Sequence, residues 1–391
     1  MFTRVLRLPD HSFFLFGPRG TGKTTWLKNL LPDAVWFDLL RTQTLLSLMR
    51  RPEAFRQQIE ARNTGTWVVV DEVQRLPTLL NEIQILMTEH GGAHRFALSG
   101  SSARKLKRAD ANLLAGRAIN RRFFPLTAAE LGRQFDLDQV LRFGLLPQIQ
   151  AEPSFAIDFL DAYVENYIRE EIQQEALVRN LDSFSRFLEI AALMNGQIVN
   201  IAGLARDAAV ARPTAQGYFS TLVDTLIGFW LPAWRKRVKV KEVAGPKFYL
   251  FDPGVARALA GRSREPLDGT ERGFLLETWI LHELRAAMSL HDTGGQLSYW
   301  RTPSGSEVDF IWTRGTRSIG MQVKAAAVWR SEYGTPLKSL IAAGALQAAY
   351  GVYTGSNELK DGPVRVLPLA RFLAELASGS VLAGEQAGAG R

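Results

Sequence analysis

Phe13-Phe14-Leu15-Phe16-Gly17-Pro18-Arg19-Gly20-Thr21-Gly22-Lys23-Thr24-Thr25 decides the reading of this chain. An apolar run of buried-strand character enters a glycine-rich turn, and the turn opens into a helix over 24–31 that stops near Pro32. Residues 17–24 fit G-x-x-x-x-G-K-[ST], the phosphate-binding loop. Gly17, Gly20 and Gly22 let the backbone curl so that its N–H groups point at phosphate oxygens, and the positive end of the following helix adds to that field. Pro18, Arg19, Thr21 and Thr25 complete the cradle, Lys23 reaches the β and γ phosphates, and the Thr24 hydroxyl ligates Mg²⁺. The expected ligand is ATP with Mg²⁺. The competing reading, a glycine-rich strand-to-helix turn that spells the motif by chance, is disfavoured by the strand before it and the helix after it.

Outward from the loop, Ala34-Val35-Trp36-Phe37-Asp38-Leu39 reads as a second strand, with helices following near 42–49 and 52–61. Thr66-Trp67-Val68-Val69-Val70-Asp71-Glu72 is a β-branched run ending in two carboxylates, the pattern of a central parallel strand covered on both faces. Its acidic end falls at the carboxyl edge of the sheet, where open α/β folds bind ligands. There Asp71 would hold Mg²⁺ and Glu72 would polarise the attacking water. His94-Arg95-Phe96-Ala97-Leu98-Ser99-Gly100-Ser101 is the next strand, expected between the two nucleotide-binding strands, with Ser99 or Ser101 near the γ-phosphate. A last strand runs over 118–124. Arg117, just before it, reads as a γ-phosphate sensor in its own subunit, as an arginine finger within a homo-oligomer, or as a surface charge; the sequence leaves all three open.

At 391 residues the chain is long enough for two or three domains, and 46% hydrophobic with 22% charged residues is an ordinary globular balance. The absence of cysteine excludes disulfides, thiolate metal sites and thiol nucleophiles, and fits a reducing compartment. The N-terminus lacks a secretory apolar region, and no apolar stretch approaches the roughly 20 residues of a membrane span, so a cytoplasmic protein is expected. A net charge of +8 favours a polyanionic partner.

The phosphate loop, Val70-Asp71-Glu72-Val73-Gln74-Arg75-Leu76-Pro77, Leu98-Ser99-Gly100-Ser101-Ser102-Ala103-Arg104-Lys105-Leu106 and Leu114-Ala115-Gly116-Arg117 together resemble one prokaryotic family. It is the family of AAA-type ATPases whose C-terminal half is a domain of unknown function with a restriction-endonuclease-like fold. The resemblance covers almost the whole chain and implies an ATPase with a helical lid on its core, in the helical region from Leu126 to about Asn180. Where family members often show Gly-Gly-Tyr-Pro, this chain has Gly144-Leu145-Leu146-Pro147.

Three helices follow, near 184–194, 200–206 and from Arg212, where Pro213 suits the first helical turn. With a strand pair over 228–240 the whole resembles a winged helix-turn-helix, whose third helix would present Arg212, Thr214 and Gln216 to DNA. Arg235, Lys236, Arg237, Lys239, Lys241 and Lys247 then form a basic segment suited to a phosphate backbone. The plainer alternative is a protein-packing module with a solvated charged face.

In the C-terminal part, 273–288 is an amphipathic helix carrying Glu277, 297–302 is a strand, and 307–312 and 318–324 flank Thr313-Arg314-Gly315-Thr316-Arg317 as a hairpin. Period-2 alternation puts Glu307, Asp309 and Ile311 on one face, and Gln322 with Lys324 on one face. A turn centred between Gly315 and Thr316 sets Asp309 opposite Gln322, so that Glu277, Asp309, Gln322 and Lys324 converge. This resembles the Asp…(Glu/Gln)-x-Lys core of restriction-endonuclease-like nucleases. The resemblance implies Mg²⁺ on Asp309 with Glu277 assisting, and Lys324 at the attacking water or scissile phosphate. Gln322 stands where that family more often has Glu, which removes one negative charge from a site for a hard cation. The alternative is a fold retired from cutting, in which Asp309 and Lys324 are an ordinary cross-strand pair worth under ~1 kcal/mol. His282 and His291 read as surface or packing residues.

The expected architecture is thus α/β: a P-loop ATPase core over 1–125, a helical lid over 126–182, a winged helix over 183–243, a restriction-endonuclease-like domain over 244–377 and a disordered tail over 378–391. The expected activity is Mg²⁺-dependent ATP hydrolysis coupled to a basic half that engages DNA. An ATP-licensed nuclease, or a nucleotide-gated switch that cuts nothing, is the alternative.

Overall fold

A computed structural model of the chain describes residues 2–102, 114, 116–168, 180–235 and 245–383. The N-terminal unit runs β1 (Phe13–Phe16), α1 (Lys23–Leu30), β2 (Val35–Asp38), α2 (Thr42–Arg50), α3 (Glu53–Glu60), β3 (Trp67–Asp71), α4 (Leu79–Glu89), β4 (Arg95–Gly100) and β5 (Ile119–Arg122). Its five strands are all parallel in the order β2-β3-β4-β1-β5, so β4 does lie between the loop strand β1 and the acidic strand β3. Apolar residues are continuous in β1 and β3 because helices cover both faces. Phe14, Phe16, Val68 and Val70 enter one apolar layer, and Phe13, Leu15 and Val69 enter the other, against Trp26 and Leu27 of α1.

The middle of the chain holds α5 (Ala128–Leu131), α6 (Leu137–Phe143), α7 (Pro147–Ala151) and α8 (Ala156–Ala162), the last continuing as a π-helical turn over Tyr163–Ile168. Next come α9 (Leu181–Leu193), α10 (Ile201–Asp207), α11 (Arg212–Asp224), β6 (Gly228–Leu231), β7 (Lys247–Leu250) and α12 (Pro253–Leu259). The strand pair expected within 228–240 is formed differently. The partner of β6 is β7, antiparallel, with Gly228 opposite Leu250. Gly228 makes the approach possible, since a Cβ there would lie 2.2 Å from the Phe248 ring. Residues 247–250, placed by sequence within the C-terminal domain that opens at 244, therefore belong to this two-stranded sheet.

The C-terminal unit comprises α13 (Gly269–Leu290), β8 (Gln296–Arg301), β9 (Glu307–Arg314), β10 (Arg317–Lys324), α14 (Thr335–Ala342), β11 (Ala348–Tyr353), β12 (Leu359–Asp361), β13 (Val364–Pro368), α15 (Leu369–Ala377) and α16 (Ser380–Ala383). Its sheet has the order β12-β13-β11-β10-β9-β8, antiparallel through β8-β9-β10 and parallel from β10 to β11 and β11 to β13. Order persists past the expected start of the tail at Ser378, because Val381 and Leu382 are buried in the core and carry α16 with them. Residues 384–391 of that expectation lie outside the described residues. Among the described residues, no helix is long and apolar enough to cross a membrane.

One apolar cluster runs without a break from Leu145 and Tyr163 through Phe184 and Tyr249 to Trp279 and Met321, so the helices after β5, those of 181–224 and the C-terminal sheet share a core. Asp252 is the polar joint inside it. Its carboxylate accepts the Val255 N–H at 3.0 Å, capping α12, and the Leu145 N–H at 2.7 Å, tying α12 to the segment between α6 and α7. Glycine is required on both sides: a Cβ on Gly144 would fall 1.9 Å from Asp252 Oδ1, and one on Gly254 would fall 2.1 Å from the Phe143 carbonyl oxygen.

Burial pushes the Asp252 carboxyl up from 3.8 to about 6, against the pull of its N–H donors. The folded chain thus binds more protons than the unfolded chain between pH 3.8 and about 6, so this group's contribution to stability falls as pH rises through that window. Asp252→Asn should flatten the fall in urea-denaturation midpoint across that range. It should also cost about 1–3 kcal/mol near neutrality, because one of two buried acceptors becomes a donor.

Candidate functional site

The loop after β1 is built by close approach. Gly17 packs on the Phe123 backbone so tightly that a Cβ would sit 2.1 Å from the Phe123 carbonyl oxygen, while Gly20 and Gly22 hold φ of 79° and 90°. Lys23 opens α1, is only 5% exposed, and its Nζ donates to the Gly17 and Pro18 carbonyls at 2.8 and 3.0 Å. Thr21 closes the turn by donating to the Pro18 carbonyl at 2.8 Å. Three residues of the following helices press on this loop: Tyr163 donates to the Arg19 carbonyl at 2.9 Å, and Leu146 and Pro147 approach Gly20 and Gly22.

At the end of β3, Asp71 is 2% exposed; it accepts the Thr24 hydroxyl at 2.7 Å and is also hydrogen-bonded by Ser99 of β4. Thr24 and Asp71 are thus adjacent oxygen donors for a hard cation such as Mg²⁺, held in place by Ser99. Glu72 follows in the left-handed region, φ 60°, which turns its side chain out of the strand direction. Its carboxylate accepts a hydrogen bond from Gln74, which also donates to Ser101 at 3.1 Å. Gln74 was not singled out by sequence reasoning. Its signal was Gly100, where a Cβ would meet Gln74 Oε1 at 2.6 Å.

A second feature that sequence reasoning missed is a cavity of about 710 Å³ beside the loop. Thr21, Gly22 and Thr25 reach it from the loop, and Phe2, Leu6 and Trp26 give it an apolar lining. The alternation of inward Phe2, Arg4, Leu6 and Leu8 before β1 could have pointed to it. Arg4 fastens this segment, donating to the Thr21 carbonyl at 2.8 Å and pairing with Glu130 at 2.9 Å. Arg117 lies exposed in the turn before β5.

At the other end of the molecule the β9–β10 hairpin pairs Arg314 with Arg317 and Phe310 with Met321; continued one step, that register sets Asp309 opposite Gln322. Asp309 is 3% exposed, with Lys324 Nζ 3.8 Å away and the Val323 N–H donating at 2.7 Å, both to Oδ2. Glu277 of α13 joins from the adjoining helix. Burial and the neighbouring Asp309 push Glu277 up to about 8, and burial raises Asp309 as well. Gln322 is buried, and its Oε1 has no hydrogen-bond partner among the described residues. The cluster also holds a residue expected elsewhere. Lys247, read as part of the basic DNA-facing segment, is 4% exposed and lies inside, with Nζ 2.5 Å from Glu307 Oε1 and 3.8 Å from Glu277 Oε2. Alternation along β7 explains the correction, since Lys247 and Tyr249 share the face toward α13.

Of the remaining basic segment, Arg235 is exposed, and Lys236, Arg237, Lys239 and Lys241 lie outside the described residues. Arg212, Thr214 and Gln216 are exposed on the first turns of α11. His282 is buried and hydrogen-bonded to the Leu126 carbonyl, with burial pulling its pKa down to about 3, a packing role. His291 lies exposed against the Ala377 carbonyl.

Residues 10–132 match the family described as an AAA domain, which supports an AAA-type ATP-binding ATPase domain carrying the five-stranded parallel sheet. Residues 134–266 match a domain of unknown function (DUF8612), and residues 272–372 match another (DUF4143). The chain is 27% identical over 315 residues to uncharacterized protein Mb2031c of Mycobacterium bovis and, equally, to uncharacterized protein Rv2008c of Mycobacterium tuberculosis. Each match covers 79% of this chain and 69% of the relative. The crystal structure of protein VC1899 from Vibrio cholerae aligns over 95% of this chain and 97% of its own, at 11% identity and a TM-score of 0.23, too low to bear on the fold.

Two variants probe this geometry. Gly17→Ala should abolish ATP binding in isothermal titration and lower the thermal midpoint, because backbone rather than a flexible side chain meets the new methyl. Gln74→Ala should leave ATP affinity unchanged and cut turnover about 3- to 10-fold, through loss of the group that orients Glu72.

Proposed function

We propose that this chain is an ATPase whose nucleotide site drives its middle module against DNA. The observation that carries the reading is the joint between the phosphate loop and the rest of the molecule. Leu146, Pro147 and Tyr163 touch the loop glycines and the Arg19 carbonyl, and Leu145, next in line, is bonded to Asp252 behind β7. A change at the phosphates therefore reaches the two-stranded sheet through packed side chains and one buried hydrogen bond.

In this reading the backbone N–H groups of 17–24 and Lys23 bind the phosphates, and the apolar cavity beside Trp26 takes the adenine. Thr24 and Asp71 would hold Mg²⁺, which would supply charge neutralisation to the bound phosphates. Glu72 takes the proton of the attacking water, oriented by Gln74, while Ser99 keeps Asp71 from turning. Leu146, Pro147 and Tyr163 close over the loop and exclude water from it.

Three helices followed by an antiparallel strand pair support the winged-helix reading of 181–250, with Arg212, Thr214 and Gln216 exposed where a recognition helix meets a groove. Arg235 and the lysines after it, without Lys247, are the basic element for phosphate contacts. The long helix α13 before an antiparallel meander, with α14 leading into a parallel strand, supports a restriction-endonuclease-like topology for the C-terminal unit.

Lys23→Ala should lose ATP binding. Glu72→Gln should bind ATP normally and turn over at least about 100-fold more slowly, as expected when a positioned base is removed. The deciding experiment follows ATP turnover with duplex DNA added at several salt concentrations, beside a variant with Arg235, Lys236 and Arg237 replaced by Ala. DNA should stimulate turnover, and the variant should bind DNA more weakly with a flatter salt dependence. Turnover indifferent to DNA, or an unchanged salt slope, would overturn the DNA assignment and leave a switch for a protein partner.

A further inference from the structure

We propose that Lys247 is the resident cation of the C-terminal carboxylate cluster, holding the place where the nuclease-like reading requires a divalent metal. The inference stands on the geometry of that cluster and does not depend on the ATPase reading.

Each carboxylate of the cluster already has one oxygen facing an ammonium. Glu307 and Glu277 face the Lys247 ammonium at 2.5 and 3.8 Å. Asp309 faces Lys324 at 3.8 Å through an oxygen that also accepts the Val323 N–H. The Tyr249 hydroxyl lies 3.5 Å from the Glu277 oxygen that Lys247 faces, so two alternate residues of one strand fill this side of the cluster. The buried Gln322 Oε1 has no partner among the described residues, and as a neutral amide it brings no negative charge to offset a dication. A dication placed among these carboxylates would stand beside an ammonium that is 4% exposed and has no solvent to screen it. The residues present do not fit a divalent metal.

The origin of Lys247 gives the arrangement its consequence. It arrives on β7, whose hydrogen-bonded partner is β6 of the middle module, while Glu277 and Glu307 belong to α13 and β9 of the C-terminal unit. The ion pairs fasten one module to the other, and the Lys247 ammonium over the Tyr299 ring of β8 at 5.2 Å extends the same contact. The cluster serves as an inter-module clamp, and metal-dependent cleavage of a phosphodiester is not available to it.

The test is Mn²⁺ titration of the nucleotide-free, chelator-stripped full chain, read by calorimetry and by thermal melting with and without Mn²⁺. Wild type, Gln322→Glu and Lys247→Arg should show no Mn²⁺ binding and no Mn²⁺-dependent rise in melting beyond what Asp309→Asn retains, which discounts uptake at Asp71 or at the exposed Glu60, Glu89 and His90. Lys247→Met, stripped of Mn²⁺, should melt lower than wild type because two carboxylates lose their counter-ion. It should gain a saturable site whose occupancy raises its melting temperature, and Lys247→Met/Gln322→Glu should bind about tenfold more tightly again. Saturable binding by wild type that is lost in Asp309→Asn would overturn the proposal. So would a site created by Gln322→Glu with Lys247 in place, a reading that holds even if Lys247→Met fails to fold. A folded double variant that takes up no Mn²⁺ would also overturn it.

Discussion

The buried hydrogen bond from the Leu145 N–H to Asp252 is the constraint on which the arrangement of the molecule turns. It joins two segments more than a hundred residues apart, and it is protected by glycines that cannot be replaced without collision, Gly144 on one side and Gly254 on the other. On the N-terminal side of this bond, Leu146 and Pro147 lie against the phosphate loop. On the far side, two residues separate Leu250, the end of β7, from α12, and β7 carries Lys247 into the C-terminal cluster. One short polar contact thus sits between the nucleotide site and the C-terminal cluster. Its acceptor is a carboxylate that burial renders weakly acidic, so its strength is tied to its charge state.

The two carboxylate sites differ in how their charge is balanced. At the end of β3, the partners of Asp71 are hydroxyls, Thr24 and Ser99, which orient the carboxylate and leave its negative charge intact for a cation. At the C-terminal cluster the partners are ammoniums, which offset part of the charge. Sequence motifs record the carboxylates in both places and do not record this difference.

The readable parts of this chain were those fixed by neighbours in sequence. The strand-loop-helix of 13–30, the acidic end of β3 and the hairpin register that sets Phe310 opposite Met321 follow from local periodicity and turn spacing, and the place of β4 from the phosphate-loop sheet they imply. Lys247 was illegible for a physical reason. Grouped with the Arg and Lys residues of 235–241 it reads as solvated, and what buries it is a pairing with β6 and two carboxylates 30 and 60 residues further on. Gln74 and the apolar pocket of Phe2 and Leu6 were hidden in the same way, since each gains meaning only from a surface brought by another element. The tail was misjudged at its start because composition is an average. Val381 and Leu382 find the core although the residues after them are small and glycine-rich.

These observations bear on how a nucleotide site and a sheet with no evident cofactor chemistry come to share one chain. A buried ammonium paired with carboxylates contributes little net stability over an apolar replacement, yet breaking it is costly because a charge is left uncompensated. Such a contact is poorly suited to holding a fold together and well suited to fixing one relative arrangement of two modules, since any shift of β7 against α13 separates charges in a low dielectric. The joint at Asp252 has the same character, with a desolvated carboxylate and two N–H donors between rigid helices. Both contacts lie along the path leading away from the phosphate loop. Under the proposed reading, polar fastenings of this kind at successive module boundaries, each costly to break halfway, would pass a small change at a phosphate on as a discrete change of arrangement.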